Sequence, residues 1–514
     1  VPTSCPVRGW FRAGQNDSAT PKRNSGEIDH ESLLHPLRVK DVQTMNRCFR
    51  CHWLAALLLC GVLGTLGCND DGKSSASSFG AGCNSNECKV WASDVGNGSL
   101  FGRTVGLDDD VMLVGSPTDS DAGTSAGAVY VFERDGEDWI EVQKLLADDT
   151  AADDLFGFAV AIRGDVAIVG AYGEDENGSG TGAAYVFRSD GTTWTQEAKL
   201  QPLDPVDQHG FGSSVGISGA VAVVGAPGDD SNGTAAGAAY AFRHDAGSWL
   251  QDQKLTASDG AAADQFGASV ATDGSVISVG ARLASVDPPD PPGTQRRGLQ
   301  RRSGAGYVFR YDASWTEEAK IVGIREPIEC EATAGLTEVN DSWTDGHFGT
   351  STSIDGELLA FGAPRSKLRV PPASGCSLRP ELNETGAAYI YRFDGDSSWD
   401  FQRRIIEADP EANLRLGVKV DIRDGGTGGT KVLAIGAPGS RDLGVGSGKG
   451  YYVVYDTTIG EWPLVPVTVL PSDGSEGDRF GDSVAAQDDM MVFGATGDDS
   501  GGVNSGAVYV YPVE

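Results

Sequence analysis

Apolar residues run along this chain in short bursts, separated by Gly, Asp, Ser and Pro. One stretch shows the pattern clearly. Phe156–Ile162, Val166–Val169, Ala183–Phe187 and Trp194–Leu200 are four strand-sized segments. Arg163-Gly164-Asp165 separates the first two, and Ser189-Asp190-Gly191 precedes the fourth. Turns with Gly beside Asp connect antiparallel strands, because Gly takes the positive φ the turn needs. No long run places apolar residues at i, i+3, i+4 and i+7, so the pattern predicts an all-β protein.

The four-strand set recurs. Phe-Gly pairs begin at Phe101, Phe156, Phe211, Phe266, Phe348 and Phe480, with a degenerate Leu416-Gly417 between the last two. The first four are spaced by 55 residues and the later intervals are longer, so insertions accumulate in the second half. Seven four-stranded antiparallel units predict a seven-bladed β-propeller. The seventh unit stops at Tyr509 to Glu514 without its fourth strand. Lys-Leu pairs at Lys144, Lys199 and Lys254 each begin 12 residues before the next Phe-Gly, and Lys89-Val90 sits 12 before Phe101. Glu87 to Ala92 is therefore predicted to be the outer strand of the last blade. It would close the ring with the N-terminal strand and remove an open edge.

A second motif follows each Phe-Gly. Gly-Ala-Pro is literal at Gly225, Gly362 and Gly436, and varied at Gly115-Ser116-Pro117, Gly170-Ala171-Tyr172, Gly280-Ala281-Arg282 and Gly494-Ala495-Thr496. Over residues 87–514 the chain resembles the FG-GAP repeat of integrin-α-type β-propellers. The Gly lets backbones crowd near the axis, the Phe is expected to pack between blades, and Trp139, Trp194, Trp249, Trp315, Trp399 and Trp462 are expected to be packing residues. The resemblance implies a binding or adhesion module, not a catalyst.

Charge narrows the partners. A net charge of -33 repels phosphates and anionic lipid, so nucleic acid is excluded as a partner. No His-Glu-x-x-His occurs, and the literal matches to Gly-x-Ser-x-Gly (Gly123 to Gly127, Gly212 to Gly216), to a Walker loop (Gly67 to Ser74) and to Cys-x-x-Cys (Cys48 to Cys51) fall in an all-β pattern or in the N-terminal address, without the strand-to-helix setting those chemistries need. Carboxylates are too many to nominate an acid and base. Two alternatives stay open: an extracellular polysaccharide hydrolase or lyase using carboxylates of the loop face, and a purely structural envelope protein. The ring itself is expected to be monomeric.

The N-terminal region reads as an address. Residues 1–44 have no periodicity and are expected to be an upstream or disordered extension. Met45 opens a signal peptide over 45–68: Arg47 and Arg50, then the apolar run Trp53 to Leu66, then Gly67-Cys68. A small residue before Cys resembles a lipobox, which makes Cys68 the expected lipid attachment site. Residues 69–86 are a small, polar tether. The expected location is the cell envelope, as a lipoprotein facing periplasm or cell surface, or otherwise secreted. The partner is an extracellular or envelope protein or glycan.

Alternating strand direction puts the loops between second and third strands on the same face as the interblade loops. Function is expected there. That face receives three insertions, 283–302, 322–347 and 365–384. The first carries Arg296, Arg297, Arg301 and Arg302, candidates for ligand binding. The other two carry Cys330 and Cys376, which the fold places around one blade as a candidate disulfide; Cys83 and Cys88 form a second, tighter candidate pair. The family resemblance implies Ca²⁺ bound by an Asp-x-Asp-x-Asp-Gly-like loop between first and second strands. Here only tight turns occupy that place, as at Leu107 to Asp110. No cofactor is required, and Ca²⁺ has as weak candidate ligands Asp119, Asp121, Asp229, Asp230, Asp498 and Asp499 in the loops between second and third strands.

Overall fold

The computed structural model describes residues 81–83, 86–286, 302–323, 346–367, 382–396, 398–409, 411–424, 431–458, 460–487 and 489–513. Among them there is no helix. Seven antiparallel sheets follow one another along the chain. Blade 1 is built from Thr104–Asp108, Val111–Ser116, Ala128–Asp135 and Asp138–Leu145, and blades 2 to 6 repeat this order. The first strands of neighbouring blades touch all the way round, including blade 7 against blade 1. The protein is thus a closed seven-bladed β-propeller with the first strands innermost.

Ring closure follows the expectation from the Lys-Leu offset. Cys88–Val90 pairs antiparallel with Ala507–Pro512, with Cys88 opposite Val510, Lys89 opposite Tyr509 and Val90 opposite Val508. A further strand, Ala81–Cys83, pairs with Cys88–Val90 and makes blade 7 five-stranded. The Cys83–Cys88 disulfide closes this small hairpin.

The Phe-Gly motif does more than start a strand, although in blades 4 and 7 the first strand begins at Phe266 and Phe480 themselves. In blade 2 the first strand begins at Ala159, not Phe156. Phe156 instead forms a parallel bridge to Gly127 of the preceding blade. Its N–H donates to Ala126 O at 3.0 Å. The same bond recurs from Phe101 to Ser505, Phe211 to Thr181, Phe266 to Ala236, Phe348 to Ser303, Leu416 to Thr385 and Phe480 to Ser447. Each blade therefore hangs on its predecessor by a main-chain bond that the sequence periodicity marks with Phe. The ring of that Phe is buried against the third strand of its own blade, as Phe211 is edge-on to Tyr240 and Phe242. It also belongs to the apolar cluster shared with the preceding blade, where Phe211 packs with Val186 and Leu200.

Two glycines explain why the motif is spelled as it is. Gly127, at φ +86°, would carry a Cβ 2.1 Å from the Phe156 carbonyl oxygen. Gly225 of Gly-Ala-Pro would carry one 2.1 Å from the carbonyl oxygen of Gly267 in the next blade. No side chain fits either place, so the second-strand Gly sets how closely blades approach near the axis. The six repeating Trp residues are all buried, in keeping with a packing role.

Candidate functional site: the loop face

The loop between second and third strands meets the interblade loop in every well-formed blade. Asp153 N donates to Thr124 O at 2.8 Å, and Ala263 N to Thr234 O at 2.8 Å. Both loop classes therefore share one face, as strand alternation predicts.

The first acid of each loop points inward, not to solvent. Asp229 is fully buried, and Asp119 and Asp498 nearly so. Burying a carboxylate is costly unless it is paired, and each has a pair built from its own blade. The Lys of the fourth-strand Lys-Leu pair lies opposite a Tyr of the third strand, as Lys254 does opposite Tyr240. Lys254 Nζ bonds Asp229 at 2.7 Å and Asp204 of the preceding interblade loop at 2.6 Å. Tyr240 donates to the same two carboxylates at 3.0 and 3.1 Å. Blade 1 repeats this with Lys144, Tyr130, Asp119, Asp94 and Asp121. Blade 2 uses Lys199 with Asp149, Glu174 and Glu176 at 2.6, 2.8 and 2.7 Å. Blade 7 borrows Lys89 from the closing strand, which bonds Asp473, Asp498 and Ser500, each at 2.7 Å. Blade 4 keeps Lys320, Tyr307 and Asp259.

These clusters are strongly coupled electrostatically. Burial disfavours the charge on Asp229, but hydrogen bonds from Lys254 and Ser231 outweigh it and hold the carboxyl below its ordinary range. Burial likewise works against Lys144 and Lys199, and their carboxylate partners push both above the usual ammonium range. The ammonium thus sits at the focus of the acids, where a bound cation would sit. Ca²⁺ takes about six to eight oxygens, and here the best-placed lone pairs are engaged by Lys and Tyr.

The remaining candidate ligands do local work. Asp121 accepts from Lys144. Asp230 accepts from Ala235 N and Asp499 from Asn504 N, each at 2.7 Å, closing their own loops. Arg302 is exposed, with its N–H on Ser285 Oγ at 3.4 Å. Arg296, Arg297, Arg301, Cys330, Cys376 and Cys68 lie outside the described residues. The Lys and Tyr of each cluster were visible in the sequence as regular marks, Lys144, Lys199 and Lys254 at 55-residue spacing. Their register, without the pairing across the loop, spoke only of strands.

Blades 5 and 6 depart from the scheme. Arg404 lies over the ring of Tyr389 in blade 5. In blade 6 Thr468 stands opposite Tyr451 where the Lys would be. The family comparison divides the blades the same way. FG-GAP repeats match residues 85–132, 139–187, 194–242, 249–309 and 467–511. The chain is an FG-GAP repeat protein. Each matched segment starts on an outer strand and ends on the third strand of the following blade, so the repeat is offset from the blade by one strand. That offset is what lets Cys88–Val90 complete blade 7. No curated protein matches the sequence.

Proposed function

We propose that this FG-GAP protein is an exported, lipid-anchored binding module whose loop face engages an extracellular or envelope protein or glycan, without catalysis. The FG-GAP propeller scaffold fits a protein-binding module. The observation that carries the reading is the convergence of the three insertions. Their described ends are hydrogen-bonded to one another: His347 N donates to Arg302 O at 3.4 Å, and Arg365 N to Gly346 O at 3.2 Å. The described ends of the three insertions therefore meet in one place beside blades 4 and 5. A rigid ring that gathers its variable segments at one point is suited to presentation. The Cys83–Cys88 disulfide accords with an oxidising, exported setting. Attachment at Cys68 would hold the ring beyond its tether.

The test is a capture experiment with the intact ring against one in which 287–301, 324–345 and 368–381 are each replaced by a short Gly-Ser turn. Loss of the captured partner with an unchanged melting curve is expected. Retention of the partner by the trimmed ring would refute the assignment to this face. Mass spectrometry of the mature N-terminus is expected to find a diacylglyceryl group on Cys68.

A further inference from the structure

The seven first strands line an open axial cavity of about 210 Å³. At ~30 Å³ per water it has room for about seven waters, or one small solute. Its wall is polar for a topological reason. An innermost strand is a sheet edge, so half of its N–H and C=O groups point at the axis without a neighbouring strand. Some are satisfied by side chains, as Ile422 N is by Ser353 and Ala486 N by Asp421. The rest face the cavity as alternating donors and acceptors.

One residue breaks the symmetry of this wall. The position opposite the Gly-Ala-Pro glycine is Ser in four blades. Its hydroxyl donates to the Phe-Gly carbonyl of the next blade: Ser214 to Gly267 at 2.9 Å, Ser269 to Gly349 at 3.0 Å, Ser351 to Gly417 at 3.1 Å and Ser483 to Gly102 at 2.7 Å. In blade 6 the same place, opposite Gly436, is Lys419. Lys419 lines the cavity, and among the described residues its ammonium has no hydrogen bond or ion pair. The two other cations of the lining are committed. Arg163 faces Asp108 and Asp355 at 3.6 and 3.5 Å, and Arg423 donates to Ala486 O and Leu107 O.

The charged groups around Lys419 come from three blades. Arg103 of blade 1 repels it and Asp482 of blade 7 attracts it, while Asp482 is itself held by Arg479 at 3.0 Å. On its own strand stand Asp421, bonded to Ser353, and Arg423. Burial first, and then Arg103, lower the Lys419 ammonium to about 8. Lys419 is partly exposed to the cavity, and an ammonium that sheds part of its water there without a partner is destabilised unless an anion meets it.

We propose that the axial cavity binds a small polyhydroxylated carboxylate, of the sugar-acid or hydroxy-acid class, with the carboxylate on Lys419 and the hydroxyls on the edge-strand donors and acceptors. A carboxylate supplies the missing counter-charge. Hydroxyls, which both donate and accept, replace water against a wall of alternating N–H and C=O groups. The cavity has room for one such molecule. This site is separate from the loop face and does not depend on which macromolecule that face engages.

Titration calorimetry of the full chain with sodium D-glucuronate, D-glucose and sodium acetate, at constant ionic strength, tests the proposal. Glucuronate is expected to bind one to one, and glucose and acetate at least tenfold more weakly. With an ammonium at about 8, the protonated fraction falls from about nine-tenths at pH 7 to about one-tenth at pH 9. Glucuronate affinity should therefore drop about tenfold across that interval. Lys419→Met should lose at least tenfold at pH 7 while keeping its fold by circular dichroism. Lys419→Arg, always charged, should show no fall at pH 9. Absence of glucuronate binding at 10 mM, equal affinity for glucose or acetate, or a pH-independent wild type would each overturn the proposal. The wild-type pH series needs no variant to fold.

Discussion

Lys199→Met asks most directly whether the Lys clusters hold the loop face together. The change keeps the aliphatic stem and removes the ammonium that binds Asp149, Glu174 and Glu176. Glu174 is 4 % exposed, and its Oε2 already has no hydrogen-bond partner among the described residues. Breaking a fully buried pair costs 3–5 kcal/mol. Asp149 and Glu176 are half-exposed and can recover hydration, so about 2–3 kcal/mol is expected. The sign with pH is fixed by the shifts. Lys199 is raised, so its contribution is complete below about pH 10 and is lost only as pH rises through its folded value. Asp149 is lowered, so its contribution is present above about pH 4 and is lost as pH falls. The deficit should therefore be full at pH 7 and shrink below pH 4. Lys199→Met also leaves three carboxylates facing a place without a cation. At a Kd of about 1 mM, ordinary for extracellular modules, 10 mM CaCl₂ would restore about 1.4 kcal/mol. Urea unfolding of wild type and variant, each with and without CaCl₂, reads all of this. A variant within 0.5 kcal/mol of wild type, or equal CaCl₂ stabilisation of both proteins, would refute the view that Lys199 serves as the cation of this loop.

Two further predictions concern closure and pH. Deleting Glu87 to Ala92 removes fully buried Val90 and the three Lys89 bonds; at ~2 kcal/mol for the apolar side chain and ~3 for the charged bonds, hydrogen exchange of the blade 7 amides should accelerate by nearly four orders of magnitude, and unchanged protection would argue against closure by this strand. Asp478 is raised to about 6 by burial and by Asp498. A raised carboxyl stabilises below its unfolded value and loses that contribution as pH rises through about 6, so the charged form is a cost at pH 7. Asp478→Asn, which keeps an acceptor for Ser475 N, should stabilise by about 1–2 kcal/mol at pH 7 and by nothing at pH 4; equal effects at both would show the gain is not electrostatic.

The architecture was legible because a propeller writes its contacts at fixed offsets. Phe and Gly recur where a blade hangs on its predecessor, and one mis-sized residue there would collide with backbone, as the would-be Cβ of Gly127 does with Phe156. The 12-residue Lys offset located the closing strand for the same reason. The pairing of those lysines was not legible from the strand pattern, although it too keeps fixed offsets: Lys144, Lys199 and Lys254 each lie 25 residues after their loop acid and 50 after the interblade Asp. Tyr240 and Lys254 reach Asp229 within their blade and Asp204 before it, and nothing in a strand pattern says that four polar marks converge. Reading the acidic loops alone suggested metal ligands; reading them with their lysines turns most of that acidity into internal structure. The net charge of -33 therefore overstates what the loop face offers a partner. Where Lys is replaced by Arg404 in blade 5 and by Thr468 in blade 6, the repeated loop is no longer fastened in the same way. Two of the three insertions, at 322–347 and 365–384, begin or end at blade 5, and Lys419 enters the axial wall from blade 6.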